Sequence, residues 1–258
     1  MMSKKIRIVA LLLIGLSLHV FSQKFQTVFG GSQFDEGRSV QQTADKGYIV
    51  AGTTKSYGLS GSLDIYLIKT DTLGYKKWER TYGGIGEERS FCVQNTKSGG
   101  YVVFGYTTSK GAGGLDYYLV KTDSTGNVLW EKTYGGADWD LGYGVRQTND
   151  SGYIMVGGTY SFGKGDEDIY LVKTDSKGDT LWTKTYGGTK EDVAESVWQC
   201  KEDSGYFITG YTKSFGKGDY DFYYIRTDKD GDTLWTRTLG GPYDEQAYKG
   251  RQTADGDF

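Results

Sequence analysis

The chain has 258 residues, a formal charge of −3 and one histidine, His19. Its 40 glycines, 22 tyrosines and single proline describe many short strands with tight corners rather than helices. Mild acidity without a basic patch excludes nucleic acid as a partner class, and beyond the first twenty or so residues no segment is apolar enough to span a bilayer as a helix.

Residues 1–22 read as a signal peptide. Lys4, Lys5 and Arg7 precede the apolar run Ile8 to Val20, and Val20 and Ser22 suit a cut before Gln23. The chain is therefore expected to be secreted, extracellular or on the cell surface, and no Cys follows the apolar run to carry a lipid. Cleavage removes three basic residues and no acidic one, which takes the formal charge from −3 to −6, and it removes His19. The mature chain then has no imidazole for a Ser/His or Cys/His pair or for a His-ligated zinc. Cys92 and Cys200 fall at different places in their repeats, nearly two repeats apart. That placement does not suit a disulfide, whose Cα atoms must approach within about 7 Å, and both are expected to be small buried side chains.

From residue 30 onward the sequence repeats. Trp78, Trp130, Trp182 and Trp235 are spaced by 52, 52 and 53 residues, and "DIYLIKTDTLGYKKWERTYGG" from Asp64 returns from Asp116, Asp168 and Asp221 with few changes. Four full repeats cover 30–82, 83–134, 135–186 and 187–239. Within the first, "GRSVQQT" is a predicted strand and Asp45-Lys46-Gly47 a turn. "YIVAGTT" is a second strand, followed by a Gly/Ser loop. "DIYLIKTD" is a third and "KKWERTY" a fourth, joined by Asp71…Gly74 as a type I turn. The third strand is apolar on both faces, so each small sheet is expected to lie between two others. Four antiparallel strands in about 50 residues, stacked on both faces, describe a blade of a β-propeller. The fold class is therefore all-β, with blades of about 52 residues.

The two ends are out of phase with the blades. Residues 24–29 match the end of a fourth strand, and residues 240–258 match a first strand and the start of a second. The sequence is thus expected to be a fragment of a longer ring of at least five blades.

At D-x-x-G-x-x-x-W (Asp71, Gly74, Trp78 and their counterparts) the chain resembles the tryptophan-docking repeat of quinoprotein-type propellers. That resemblance implies Trp78, Trp130, Trp182 and Trp235 as links between adjacent blades. None of that family's cofactor-binding features is recognisable. The fuller pattern, YGG, an acid, QT-x-D-x-GY, GTT-x-S-x-G-x-G and D-x-YL-x-KTD-x-x-G-x-x-x-W, is similar to secreted bacterial and archaeal propeller repeats. It covers essentially all of residues 24–258. It implies a fold and leaves function open.

In such a blade the fourth-to-first connection and the second-to-third loop share one rim. The candidate site there is a set of acids, Asp35, Glu88, Asp140, Asp192 and Glu245, beside the aromatics Phe34, Trp139 and Tyr243. One reading is a ring of carboxylates binding a cation or sugar, with aromatics stacking on the sugar. The other is that each acid accepts hydrogen bonds from its own turn, and repetition in every blade favours it. Asp64, Asp116, Asp168 and Asp221 are expected to cap their glycine loops in the same way. Lys69, Lys121, Lys173 and Arg226 are expected to lie along the blade with their charges near water. Asp228-Lys-Asp230-Gly-Asp232 has carboxylates spaced as Ca²⁺ favours, but equivalent turns carry fewer acids, so no metal or cofactor is expected. No catalytic residue is assigned. The expected function is a monomeric, non-catalytic binding or structural scaffold for an extracellular protein or glycan. A carbohydrate-active hydrolase or lyase using rim carboxylates and an envelope-assembly scaffold are the alternatives.

Overall fold

The computed structural model describes residues 26–250 together with 252, 253 and 255. The expected signal peptide, residues 1–22, lies outside the described residues. Among the described residues, sixteen strands form four sheets. The first contains β1 (Asp35–Gln42), β2 (Tyr48–Thr54), β3 (Asp64–Thr70) and β4 (Lys76–Tyr82). The second contains β5 (Glu88–Asn95), β6 (Tyr101–Thr107), β7 (Asp116–Thr122) and β8 (Val128–Tyr134). The third contains β9 (Asp140–Gln147), β10 (Tyr153–Thr159), β11 (Asp168–Thr174) and β12 (Thr180–Tyr186). The fourth contains β13 (Asp192–Gln199), β14 (Tyr206–Thr212), β15 (Asp221–Thr227) and β16 (Thr233–Leu239). Every pairing is antiparallel between sequence neighbours, and the four blades form an unclosed ring.

The stacking follows from the third strands. All seven residues of β3, β7 and β11 are buried, so these strands need cover on both faces. Three apolar slabs, one between each pair of adjacent blades, cover both faces of β7 and β11 and one face of β3. Ile49, Ile65 and Leu67 meet Val93, Val103 and Val120 across the first seam. Phe104, Tyr117 and Leu119 meet Val145, Met155 and Val172 across the second. Ile154, Ile169 and Leu171 meet Ala194, Val197 and Ile208 across the third.

Each seam carries one repeated lock. Trp130 packs on Tyr153 of the next blade, with ring centroids 5.7 Å apart. It also fills the space beside Gly178, where an added Cβ would stand 2.9 Å from the indole. The Tyr134 hydroxyl donates to the Gly178 carbonyl at 2.7 Å. Trp78 with Tyr82 grips Gly126 in the same way, and Trp182 with Tyr186 grips Gly231. The gripped glycine sits at φ +84, +81 and +82 in the three turns, which favours glycine twice over, through conformation and through space. In each turn an Asp holds the loop; Asp123 Oδ1, for instance, accepts Thr125 N at 2.8 Å and Asn127 N at 2.9 Å.

Trp235 differs from the other three. It is 37% exposed, and among the described residues its ring contacts lie in its own blade, with Phe207 at 6.2 Å and Arg237 at 5.3 Å. Leu239 stands where the lock has its tyrosine. At the chain ends, residues 26–29 and 241–250 carry no strand. A first strand pairs with the second strand of its blade and a fourth with the third, and among the described residues neither segment has that partner.

Two expectations about side chains need correction. Lys69, Lys121, Lys173 and Arg226 are buried, at 4%, 4%, 4% and 8% exposure. Their cationic groups fold back onto the carbonyls of Thr70, Thr122, Thr174 and Thr227. Three of them also pair with a turn acid: Lys69 with Asp45 at 3.0 Å, Lys173 with Asp150 at 2.8 Å and Arg226 with Asp203 at 2.6 Å. In the second blade Ser98 stands at the position of that acid, and Lys121 donates to the Gly99 carbonyl at 3.0 Å and has its pKa lowered by burial. The second correction concerns the cysteines. Both are free, but only Cys200 is fully buried, whereas Cys92 is half-buried.

Candidate functional site

The rim acids all occupy one structural position. Asp35, Glu88, Asp140, Asp192 and Glu245 accept the amides of Gly31, Gly84, Gly136, Gly188 and Gly241 at 2.8–2.9 Å. Four of them also take hydroxyls from the second strand or the loop after it: Asp35 from Thr54 and Ser56, Glu88 from Thr107, Asp140 from Ser161, and Asp192 from Thr212 and Ser214. These bonds tie the Gly-Gly turn to the second-to-third loop, so the two segments do share one rim. Asp64, Asp116, Asp168 and Asp221 cap their glycine loops through the amides of Leu59, Ala112, Lys164 and Lys217. The acids therefore organise backbone, and they do so alike in every blade.

Of the rim aromatics, Phe34, Trp139 and Tyr243 are 51%, 56% and 77% exposed. They lie on different blades and form no common cluster. Trp139 stands edge-on to Tyr160 at 6.1 Å, and Tyr160 donates to Glu167 at 3.0 Å. In the acidic turn, Asp228 accepts the amides of Asp230 and Asp232 at 2.9 and 2.8 Å, while Asp230 pairs with Lys229 and Asp232 with Lys184 at 2.6 Å. All three carboxylates of that turn are thus engaged.

The site that repeat counting missed is the axial channel. The four first strands converge there, and each carries a bulge that leaves one residue out of the ladder: Arg38, Phe91, Tyr143 and Glu195. A cavity of about 180 Å³ opens among these residues, with Arg146 and Lys249. The bulge aims an unpaired residue inward in every blade, and in every blade that residue is different. Arg38 lies over the Phe91 ring at 5.2 Å and pairs with Glu36 at 2.9 Å. Phe91 meets Tyr143 edge-to-face at 5.1 Å. Arg146 stacks 3.7 Å above Trp198 and donates to Gln94 at 2.6 Å. The Glu195 carboxyl forms no hydrogen bond with any described residue. Burial pushes its carboxyl up to about 7, against the pull of Arg38 and Lys249 and with the help of Glu167. Glu167 is itself pushed up to about 7, by burial first and by Glu191 second. In a set of near-identical repeats, the column Arg38, Phe91, Tyr143, Glu195 mixes four chemistries two residues before the constant Val40, Val93, Val145 and Val197. That contrast was the available signal.

No family model and no curated protein matches the chain by sequence. Among solved structures, a protein of unknown function from Bacteroides caccae aligns over 75% of this chain and 59% of its own, at 15% identity and a TM-score of 0.45. The chain thus spans less than two thirds of that protein. A putative gluconolactonase aligns over 82% of this chain and 80% of its own, at 12% identity and a TM-score of 0.42. The architecture, four stacked four-stranded antiparallel blades in an unclosed ring, is that of a repeat β-propeller.

Proposed function

We propose that this protein is a non-catalytic binding or structural scaffold, secreted or held at the cell surface, that presents its channel mouth and rim to an extracellular protein or glycan. One observation carries the reading. The five rim acids do the same backbone work in every blade, whereas the unlike side chains, Arg38, Phe91, Tyr143 and Glu195, face a shared cavity. A rigid frame that holds dissimilar groups at one place suits recognition. Phe34, Trp139 and Tyr243 add exposed apolar faces on the rim that suit sugar rings. Kinship with secreted bacterial and archaeal repeat propellers, and a monomeric state, belong to the same proposal.

The carbohydrate-active alternative has one observation in its favour: Glu167 and Glu195 both titrate near neutrality, as a general acid would. Incubation with a polysaccharide panel separates the two. The scaffold reading expects retention on some polysaccharides with no release of reducing ends or unsaturated products. Turnover abolished by Glu195→Gln with the fold intact would overturn it. An envelope-assembly role would show instead as a stable protein partner recovered by cross-linking at the rim.

A further inference from the structure

Each of the three seams buries a pair of carboxyl groups against each other, Asp168 with Asp192 at the third, and in the first two an oxygen of the pair has no donor among the described residues. Asp64 opens the third strand of blade 1 and Glu88 opens the first strand of blade 2; both are 0% exposed. Asp116 and Asp140 stand in the same relation between blades 2 and 3, at 1% and 0% exposure. A glycine lies beside each pair, and its missing side chain makes the room. A Cβ at Gly83 would collide with Asp64 Oδ1 and Glu88 Oε2 together, and one at Gly135 with Asp116 Oδ1 and Asp140 Oδ2 together. Asp64 Oδ2 takes the Leu59 amide, Glu88 Oε2 takes Gly84 N at 2.8 Å, and Glu88 Oε1 takes the Thr107 hydroxyl at 2.5 Å. Asp64 Oδ1, Asp116 Oδ1 and Asp140 Oδ1 are buried with no donor among the described residues, and of these Asp64 Oδ1 and Asp116 Oδ1 face the partner acid across the glycine.

We propose that each of these two pairs shares one proton, carried on the orphaned Oδ1 of Asp64 or Asp116 and donated to the facing carboxylate of the next blade, so that the first two seams are closed by carboxyl–carboxylate hydrogen bonds. Two carboxylates this close cannot both ionise in a buried site without a large cost. No Lys or Arg pairs with any of the four acids among the described residues, and Arg89, next to Glu88 on β5, forms no ion pair with either member. The other titratable groups facing the pairs are tyrosines that stay neutral: Tyr118 at the first, Tyr117 and Tyr170 at the second. Burial first, and Glu88 second, pushes Asp64 up to about 6, and burial with Asp140 raises Asp116. A divalent cation suits the sites less well. Two carboxylate oxygens converge where Ca²⁺ takes six to eight donors, and no third His, Cys, Asp or Glu joins either group among the described residues.

For an acid raised in the folded state, the stabilisation is complete below its unfolded value and is lost as pH rises through the folded one. An asparagine amide at Asp64 and Asp116 reproduces the donor permanently. The D64N/D116N double variant is expected to melt about 2–4 °C above the parent near pH 7.5 and no higher near pH 5, with the parent's melt indifferent to EDTA and to millimolar CaCl₂. In a parent carrying Glu167→Gln and Glu195→Gln, which removes the two other raised carboxyls, infrared spectra are expected to show a protonated-carboxyl band that bleaches as pH rises past about 6 and is reduced in the variant. A parent melt lowered by EDTA or raised by CaCl₂ would replace the proton with a cation and overturn the proposal. So would a variant that folds but melts below the parent at both pH values, or a parent without the infrared band, which tests the idea even if the variant fails to fold.

Discussion

Replacing Trp130 and Trp235 by alanine, one at a time, puts the interblade lock to a quantitative test. The two residues occupy the same place in their repeats, but only Trp130 reaches a following blade. A buried Trp removes about 150–250 Å² from water. Trp130 is partly exposed, so the low end applies, and at about 25 cal/mol per Å² its loss costs about 4 kcal/mol, within the range of about 3–5 for Trp→Ala in cores. Trp235 is 37% exposed, and among the described residues its ring contacts, Phe207 and Arg237, lie in its own blade. Its truncation should cost about 1 kcal/mol, a surface-like value. Urea unfolding followed by far-UV circular dichroism gives both numbers in one host. Nearest-neighbour coupling in repeat proteins predicts that Trp130→Ala also broadens the transition, because it weakens one interface among several. Equal losses at the two positions would refute the idea that the indole acts across the seam, and would reassign it to packing within its own blade.

Three further outcomes follow from particular residues. Asp192→Asn leaves the Gly188 amide and the Thr212 and Ser214 hydroxyls without a charged acceptor, and should lower stability by about 1.5–3 kcal/mol without affecting ligand binding; an unchanged melt would contradict the structural role of the rim acids. Ser151 holds φ +68 where the second blade has Gly99 at φ +81, so Ser151→Gly should stabilise by about 0.5–1 kcal/mol in chemical denaturation, since a side chain in the left-handed region costs about 1–2; a clear loss would show that the serine has a compensating contact. Glu167 and Glu195 are both raised to about 7, so the stability they provide is complete below their unfolded values near 4.3 and is lost as pH rises through about 7. Melts should therefore rise from about pH 7.5 to about pH 5, and the E167Q/E195Q variant should lose part of that slope. Well below that range the trend reverses, because Asp150 is held down to about 2 by Lys173, Thr148 and Gly152 against its burial. A wild-type slope retained in full by the variant would contradict this assignment.

The blades were readable because their determinants are local and repeated. Two-sided apolar third strands, Asp…Gly turns and a recurring Trp each dictate geometry within a few residues, and Asp64 or Asp140 could be read as caps from position alone. The tyrosine hydroxyl that completes each lock was hidden, because Tyr134 bonds a carbonyl 44 residues away. Lys69 and its counterparts were misjudged because alternation places a residue on a face without saying whether the face is covered, and the neighbouring blade covers it. The channel residues escaped because a bulge breaks the two-residue period at the point where Arg38, Phe91, Tyr143 and Glu195 turn inward. Periodicity finds what repeats, and these four are where the repeats disagree.

The division of labour between repeated and unlike residues is tested most directly by a glycan array probed with three proteins: the wild type, a Tyr143→Ala/Glu195→Gln channel variant and an Asp140→Asn rim variant. The account predicts that the channel variant stays folded and loses the bound spots, while the rim variant melts lower and keeps them. Spots that survive the channel substitutions and vanish with the rim acid would contradict it.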